Sequence, residues 1–303
     1  MRKFFSTYKW QGKQLWNKAK FLTTIGFSVA SVVTLCVPLV NRSSIASATT
    51  NSSSSGEFLA AEGIPPLGAN NPACRPDAAH PEPVVLVHAT GTDMAQDWAE
   101  LSPVLAAKGY CVYALNYGNR ATGLIENSAQ ELAVFVDNVL ALTGAKKVSI
   151  VGHSQGGMMP RYYIKFLGGA DKVDDLIALA PPNHGTTADT LLRIPYIQVN
   201  PPFVGSACDQ QVAGSAFLTN LNQGDETPVP VSYTVIATRF DKIVIPYTSS
   251  FLAGPAERVT NITLQDYYPL NIVDHIGISF DPNAFKFVFD ALAYPGPAIT
   301  NRQ

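Results

Sequence analysis

The chain has 303 residues, 47% of them hydrophobic, which is enough to bury one large core and gives no sign of a second. The first 48 residues hold seven of the 21 Lys and Arg and none of the 23 Asp and Glu, so the remainder carries a formal net charge of −9 instead of −2. An acidic surface repels phosphate backbones, which argues against nucleic acid as a partner.

The N-terminal 48 residues have the layout of a signal peptide. Basic residues precede an uncharged, largely apolar run over 21–40, and Ala46-Ser47-Ala48 offers the small-x-small pattern at which signal peptidase cuts. The alternative is an uncleaved membrane anchor, because the run is nearly long enough to span a bilayer. We therefore expect a secreted protein in which residues 49–64 form a flexible linker before a folded domain over 65–303.

From residue 84 onward, strand and helix patterns alternate. Continuous apolar runs are typical of parallel strands covered on both faces, and helices are indicated by apolar residues three and four positions apart. The strands are predicted at 84–88, 111–117, 147–152, 176–180, 231–237 and 259–264. The helices are predicted at 98–105, 125–140, 155–167 and 284–292. This order predicts an α/β fold with a mostly parallel sheet and helices on both of its faces.

The alternation stops after the strand that ends near Ala180. Residues 185–230 are rich in proline and mix apolar with polar positions, and an insertion of this length in a compact domain is usually functional. It could be a lid over a binding site, or an irregular helical insertion that completes the core. Both readings stay open at this point.

The third strand runs directly into Gly152-His153-Ser154-Gln155-Gly156, and a helix follows. A G-x-S-x-G between a strand and a helix is the context of a nucleophile elbow, which identifies the α/β-hydrolase fold and makes Ser154 the candidate nucleophile. Acyl transfer also needs donors for the developing oxyanion. We expect one at the backbone N–H of Gln155 and a second at Thr90, just after the first strand.

A serine hydroxyl needs a histidine base, and the base needs a carboxylate to orient it. On this fold the chain order is serine, acid, histidine, which leaves His184 and His275; the latter lies between the last strand and the last helix and is the predicted base. Asp241 follows the fifth strand and is the predicted acid. The rival acids are Glu226, Asp225, Asp266 and Asp274.

Several segments together resemble a known family. They are 88–93, 109–111, 116–118, the elbow 152–157, the Ala-Pro-Pro-Asn-His-Gly-Thr segment 180–186, the acid segment 241–246 and Asp274-His275. The set resembles the class 2 family of secreted bacterial triacylglycerol lipases and, more distantly, the fungal lipase B type. The resemblance implies a triad of Ser154, Asp241 and His275, with Thr90 and Gln155 as oxyanion donors.

The chain departs from this pattern at Ala89, where such proteins usually have glycine. A positive φ at that position would cost alanine about 1 kcal/mol and would displace the oxyanion loop. Cys74 and Cys111 are expected to pair, because a bridge would tie the N-terminal arm to the sheet. Cys208 is expected to be free, since the second cysteine often found near that position in the family is absent.

The expected function is that of a secreted serine carboxylic-ester hydrolase, a triacylglycerol lipase acting through an acyl-enzyme on Ser154. It would act as a monomer on lipid or ester substrates at a lipid–water interface. No metal-ligand spacing and no phosphate loop is present, so no cofactor is expected. The alternatives are a short-chain esterase, an acyltransferase, or a non-catalytic binding protein on the same fold.

Overall fold

The computed structural model describes residues 63–187 and 206–302. The expected leader at 1–48, most of the linker and the middle of the insertion lie outside these ranges. The strands are β1 Val84–Val87, β2 Val112–Leu115, β3 Val148–His153, β4 Val173–Leu179, β5 Ser232–Ala237 and β6 Val259–Thr263. The helices are α1 Met94–Asp97, α2 Leu101–Ala107, α3 Ile125–Thr143, α4 Gln155–Phe166, α5 Ala207–Gln210, α6 Ala216–Asn222, α7 Leu264–Tyr267 and α8 Pro282–Ala293.

The six strands form one parallel sheet in the order β2-β1-β3-β4-β5-β6. The strand order reverses at β1, because the chain runs outward to β2 and then returns across β1 to β3. In sheets of this kind, ligands bind beyond the carboxyl ends of the strands at such a reversal. Val87, Gly152 and Ala178 lie side by side in register there. The predicted α/β fold is confirmed.

The core has two halves, one on each face of the sheet. Alternate residues of β1 show this directly, because Val85 and Val87 belong to one apolar cluster and Val84 and Leu86 to the other. α3 and α4 cover the first face, and α2 and α8 cover the second. The unbroken apolar strands of the sequence therefore reflect burial on both faces.

The described flank of the insertion completes the core. α6 places Phe217, Leu218 and Leu221 in the cluster that also contains residues of α3 and α4. The N–H of Ala207 donates to the carbonyl of Thr122, which anchors the segment beside the start of α3. Of the two readings, core completion holds for this flank; residues 188–205 lie outside the described ranges.

The structure confirms the expected pairing of Cys74 with Cys111 and contradicts the expectation for Cys208. Cys74 and Cys111 are joined by a disulfide, as predicted. Cys208 is also disulfide-bonded, so the expectation that it is free was wrong. In the described ranges no helix is long and apolar enough to cross a bilayer.

Candidate active site

The turn between β3 and α4 holds Ser154 in an unusual backbone conformation. Its φ is 53° and its ψ is −123°, a region that costs a residue with a side chain about 1–3 kcal/mol. The flanking glycines make the turn possible. A Cβ on Gly152 would lie 1.8 Å from the carbonyl oxygen of Gly156, and one on Gly156 would lie 2.1 Å from that of Val87. The predicted elbow is therefore formed, with its serine beyond the carboxyl end of β3.

Asp241 and His275 meet although 34 residues separate them. Nδ1 of His275 lies 2.8 Å from Oδ2 of Asp241, and both side chains are buried. The other carboxylate oxygen accepts from the N–H groups of Ile243 (2.8 Å) and Val244 (2.7 Å). Burial raises the pKa of Asp241, but the interactions with His275 and these two donors more than offset it, so the pKa lies below 3.8. A carboxylate of this kind fixes the ring and its tautomer.

The loops that carry these two residues are tied to each other. The hydroxyl of Thr238, just past β5, donates to the carbonyl of Val273 at 2.6 Å, two residues before the histidine. Gln265 donates to the same hydroxyl and to the carbonyl of Asn271. The acid and the base are thus held at the carboxyl end of the sheet in two ways. They pair with each other, and the side chains of Thr238 and Gln265 bind the backbone of the base loop.

The rival acids are engaged elsewhere. Glu226 pairs with His184 at 3.0 Å, Asp225 lies 3.7 Å from Arg258, Asp266 binds Arg239, and Asp274 accepts from the N–H of Gly277. His184 therefore belongs to a separate pair. Of these five acids, Asp241 is the one whose carboxylate contacts the ring of His275.

The predicted base also lies against the elbow. Nε2 of His153 lies 2.8 Å from the carbonyl oxygen of His275, and the two rings have centroids 5.2 Å apart. Since His153 directly precedes Ser154, the loop of His275 is in contact with the nucleophile turn. The structure thus places the paired His275 and Asp241 in loops beside the turn that carries Ser154.

The predicted oxyanion residues touch each other. The side-chain amide of Gln155 donates to the hydroxyl oxygen of Thr90 at 2.8 Å, and that of Gln211 approaches the same oxygen at 3.2 Å. As the first residue of α4, Gln155 has a backbone N–H that no carbonyl of the helix accepts. Gln211 lies at the described flank of the insertion, and sequence reasoning did not single it out.

Ala89 does not need a positive φ. In the described residues that conformation occurs at six non-glycine positions, and Ala89 is not one of them. Gly91 has it instead, with φ of 79°. The N–H of Ala89 donates to the buried carboxylate of Asp97 at 2.7 Å, which fixes the loop in place. The concern that alanine displaces the oxyanion loop is thereby removed.

A left-handed turn supports the oxyanion loop from the side. The φ values of Gly118, Asn119, Arg120 and Ala121 are 56°, 49°, 60° and 56°. The turn aims two carbonyls at the site, because that of Arg120 accepts from the N–H of Gly91 (2.7 Å) and that of Ala121 from the side chain of Gln155 (2.9 Å). Consecutive left-handed residues carry no sequence signature beyond Gly and Asn, so this support was not predicted.

Across residues 63–187 and 206–302, no group of three or more His, Cys, Asp and Glu side chains could hold a metal ion. The site consists of a strained serine, a buried His–Asp pair and the contacting residues Thr90 and Gln155. Such a set suits nucleophilic attack on a carbonyl, with stabilisation of the charge that develops on its oxygen.

Comparison with known proteins gives a family and several relatives. The profile of the family described as "Lipase (class 2)" matches residues 81–271, a range that includes Ser154 and Asp241 and ends before His275. A triacylglycerol lipase of Pseudarthrobacter phenanthrenivorans is 38% identical over 86 residues, which are 26% of this chain and 27% of the relative. One of Vibrio cholerae serotype O1 is 38% identical over 115 residues, 37% of this chain and 36% of the relative. The matched segments thus span about a third or less of these curated relatives.

Solved structures extend the likeness to the whole fold. Lipase B of Aspergillus fumigatus superposes with a TM-score of 0.64 at 24% identity, over 73% of this chain and 55% of the other. The mature form of lipase BlEst2 of Bacillus licheniformis superposes with a TM-score of 0.58 at 17% identity, over 77% of this chain and 100% of the other. At these identities the likeness concerns the fold.

Proposed function

The chain belongs to the class 2 lipase family, and from that premise we propose that it is a serine hydrolase of lipid esters, with Ser154, Asp241 and His275 as its triad. The observation that carries the proposal is the 2.8 Å contact between His275 and Asp241, in a loop packed against the elbow of Ser154. A buried His–carboxylate pair beside a strained serine is the arrangement that makes a serine hydroxyl nucleophilic.

In the proposed reaction, Oγ of Ser154 forms a bond to the ester carbonyl carbon while Nε2 of His275 takes the serine proton. The imidazolium is stabilised by Asp241, and the tetrahedral adduct collapses by breaking the ester C–O bond. The departing alcohol takes the proton from His275. A water molecule then gives its proton to the same ring and attacks the acyl-serine, which releases the acid and restores the hydroxyl.

The oxyanion is proposed to lie between α4 and the loop after β1. The backbone N–H of Gln155 is the first donor, at the positive end of the helix dipole. Thr90 is the second, through its backbone N–H and its hydroxyl. That hydroxyl oxygen already faces two side-chain amides, so its own proton is left to point toward a substrate oxygen.

The proposed substrates are triacylglycerols and related acyl esters met at a lipid–water interface. Support comes from exposed apolar side chains in the two loops that carry the acid and the base. In the base loop, Leu270 is 95% exposed and Ile272 is 77% exposed, and Phe240 and Ile245 flank the acid. Exposed apolar residues grouped around a site are typical of surfaces that bind lipid or protein.

The proposed location is outside the cell. The leader pattern over 1–48 supports export, and the disulfide between Cys74 and Cys111 is of the kind that persists in an oxidising compartment. We propose a monomer that needs no cofactor. An activity lost on adding a chelator would contradict the last point.

The decisive experiment is hydrolysis of p-nitrophenyl esters from acetate to palmitate, and of emulsified triglyceride, by the wild type and by Ser154→Ala. We expect activity on long chains and emulsion, and a fall in turnover by about 10³ or more in the variant with its folding intact. Activity confined to short soluble esters would identify an esterase, and transfer to an added alcohol in preference to water would identify an acyltransferase. Full activity of Ser154→Ala would refute the assignment.

A further inference from the structure

A second histidine–carboxylate pair lies beside the proposed triad, and the reaction does not use it. Nδ1 of His153 lies 3.0 and 3.1 Å from the two carboxylate oxygens of Asp97, in contact across 56 residues of sequence. Both side chains are almost completely buried. A buried ion pair is costly to assemble, so its presence beside a reactive serine calls for an explanation.

The partners of His153 determine its protonation state. One ring nitrogen faces the carboxylate of Asp97 and the other faces the carbonyl oxygen of His275 at 2.8 Å. Both partners are acceptors, whereas a neutral imidazole carries a single N–H. With Asp97 ionised, only the doubly protonated ring satisfies both contacts, and the carboxylate supplies the balancing charge.

The carboxylate of Asp97 is equally well supplied with donors. Besides His153, it accepts from the N–H of Ala89 at 2.7 Å and from the hydroxyl of Ser279 at 3.2 Å. Burial raises the pKa of Asp97, but the charge and hydrogen bond of His153 outweigh this and the pKa is lowered. For His153 burial lowers the pKa, and Asp97 together with the carbonyl of His275 reverses the direction.

The pair joins three parts of the site that come from distant positions in the chain. Asp97 holds the N–H of Ala89, the residue before the proposed oxyanion donor Thr90. His153 directly precedes Ser154 and holds the backbone of His275 through its carbonyl. The oxyanion loop, the elbow and the base loop are therefore connected by one buried chain of hydrogen bonds.

We propose that Asp97 and His153 form a positioning pair in which His153 is a buried imidazolium, and that this pair fixes His275 and the oxyanion loop relative to Ser154. The catalytic part of this inference rests on the proposed function; the charge of His153 does not. Neither residue touches the reacting atoms. Their effect comes through geometry, since a displacement of about 1 Å can cost about 10²-fold in rate.

The first test is the NMR spectrum of the full chain carrying ¹⁵N-labelled histidine, with the His153 signals assigned by their loss in His153→Gln. We expect two protected ring N–H groups on His153 at about pH 7, where a neutral histidine shows one. A single ring N–H in the wild type would overturn the proposal. This readout needs no substrate, so it stands even if the wild type hydrolyses no ester and the proposed function fails.

The second test separates hydrogen bonding from charge by comparing Asp97→Asn with Asp97→Ala and His153→Gln. An asparagine can accept from Ala89 and donate to a neutral His153, which keeps the contact with His275. We expect kcat on p-nitrophenyl butyrate to fall by less than about tenfold in Asp97→Asn and by about 10²-fold in the other two. KM should stay within about twofold in all three, because none of these side chains binds substrate.

The matched control is His80→Gln, which changes a histidine that faces Asp77 at 3.7 Å at the other end of β1. Its kcat should equal that of the wild type. Rates are expressed per folded molecule, from the near-UV circular dichroism of each sample. If Asp97→Ala or His153→Gln fails to fold, Ser279→Ala, which removes one donor to Asp97, takes its place with an expected loss of about two- to tenfold. An unchanged kcat in the folded variants would overturn the positioning role.

Discussion

Buried carboxyl groups at the two ends of the sheet have pKa values shifted in opposite directions. At the carboxyl end, Asp97 and Asp241 each face a histidine and at least one backbone N–H, and the pKa of each is lowered. At the amino end, burial and the nearby charge of Asp174 raise the pKa of Asp175 well above 3.8, and this carboxyl accepts from the hydroxyl of Ser149. All three side chains are buried, so burial alone does not decide whether an acid is charged.

The difference lies in the number and charge of the donors. Three or more donors, one of them a histidine, keep the acids ionised at the end where the proposed chemistry takes place. Asp175 has one neutral donor and has Asp174 and Glu82 as acidic neighbours. The comparison leads to three predictions. One concerns a substitution at the carboxyl end of the sheet, and two concern substitutions at the amino end.

The largest effect is expected for Asp241→Asn. The amide cannot stabilise the imidazolium that forms on His275, and it favours the wrong tautomer, so kcat should fall by about 10⁴-fold. Steady-state kinetics on p-nitrophenyl butyrate measure this. Asp225→Asn is the control, since that rival acid is more than half exposed and lies beside Arg258. A loss smaller than about tenfold in Asp241→Asn would assign the acid elsewhere.

The next effect concerns the amino end, where the bridge between Cys74 and Cys111 closes a loop of 37 residues just before β2. Replacing both cysteines by serine should lower the free energy of unfolding by about 3–4 kcal/mol, through the greater freedom of the unfolded chain. Urea denaturation measures this quantity. Because the bridge is at the opposite end from the triad, kcat per folded molecule should not change. A loss of kcat at full folding would show that the two ends are coupled.

The smallest effect is expected for Asp175→Asn. In the folded protein this carboxyl keeps a proton that the unfolded chain releases above 3.8, so the wild type loses stability as the pH rises from 3.8 to the raised pKa. The amide does not ionise, and we expect Tm at about pH 8 to increase by about 3 °C. Calorimetry near pH 3.8 is the internal control, because the difference in Tm between the wild type and Asp175→Asn should nearly vanish at that pH. An equal or lower Tm at the higher pH would contradict the comparison.

The sequence predicted the sheet and its covering helices, and it led to the proposed triad, because each has a local signature. The G-x-S-x-G fixes Ser154, and the chain order of the fold selects Asp241 and His275. Asp97 could not be found in this way. It lies in a four-residue helix without a periodic pattern, and its role depends on contacts with residues 89, 153 and 279.

The left-handed turn and Gln211 were missed for a related reason. The conformation of Arg120 and Ala121 is imposed by the loops that their carbonyls hold, and neither residue type favours it. Gln211 reaches Thr90 across 121 residues of sequence. Supporting contacts of this kind are set by tertiary structure, and a single sequence contains no record of them.

The chain order of the site also affects how the protein is made. Ser154 is synthesised first, and Asp241 and His275 follow it. A nascent chain that has not reached residue 275 therefore has the proposed nucleophile without the proposed base. Premature termination before residue 275 would leave the serine in the same state. In the proposed reaction, ester hydrolysis would therefore begin only after residue 275 has been made and the acid and base loops have folded together.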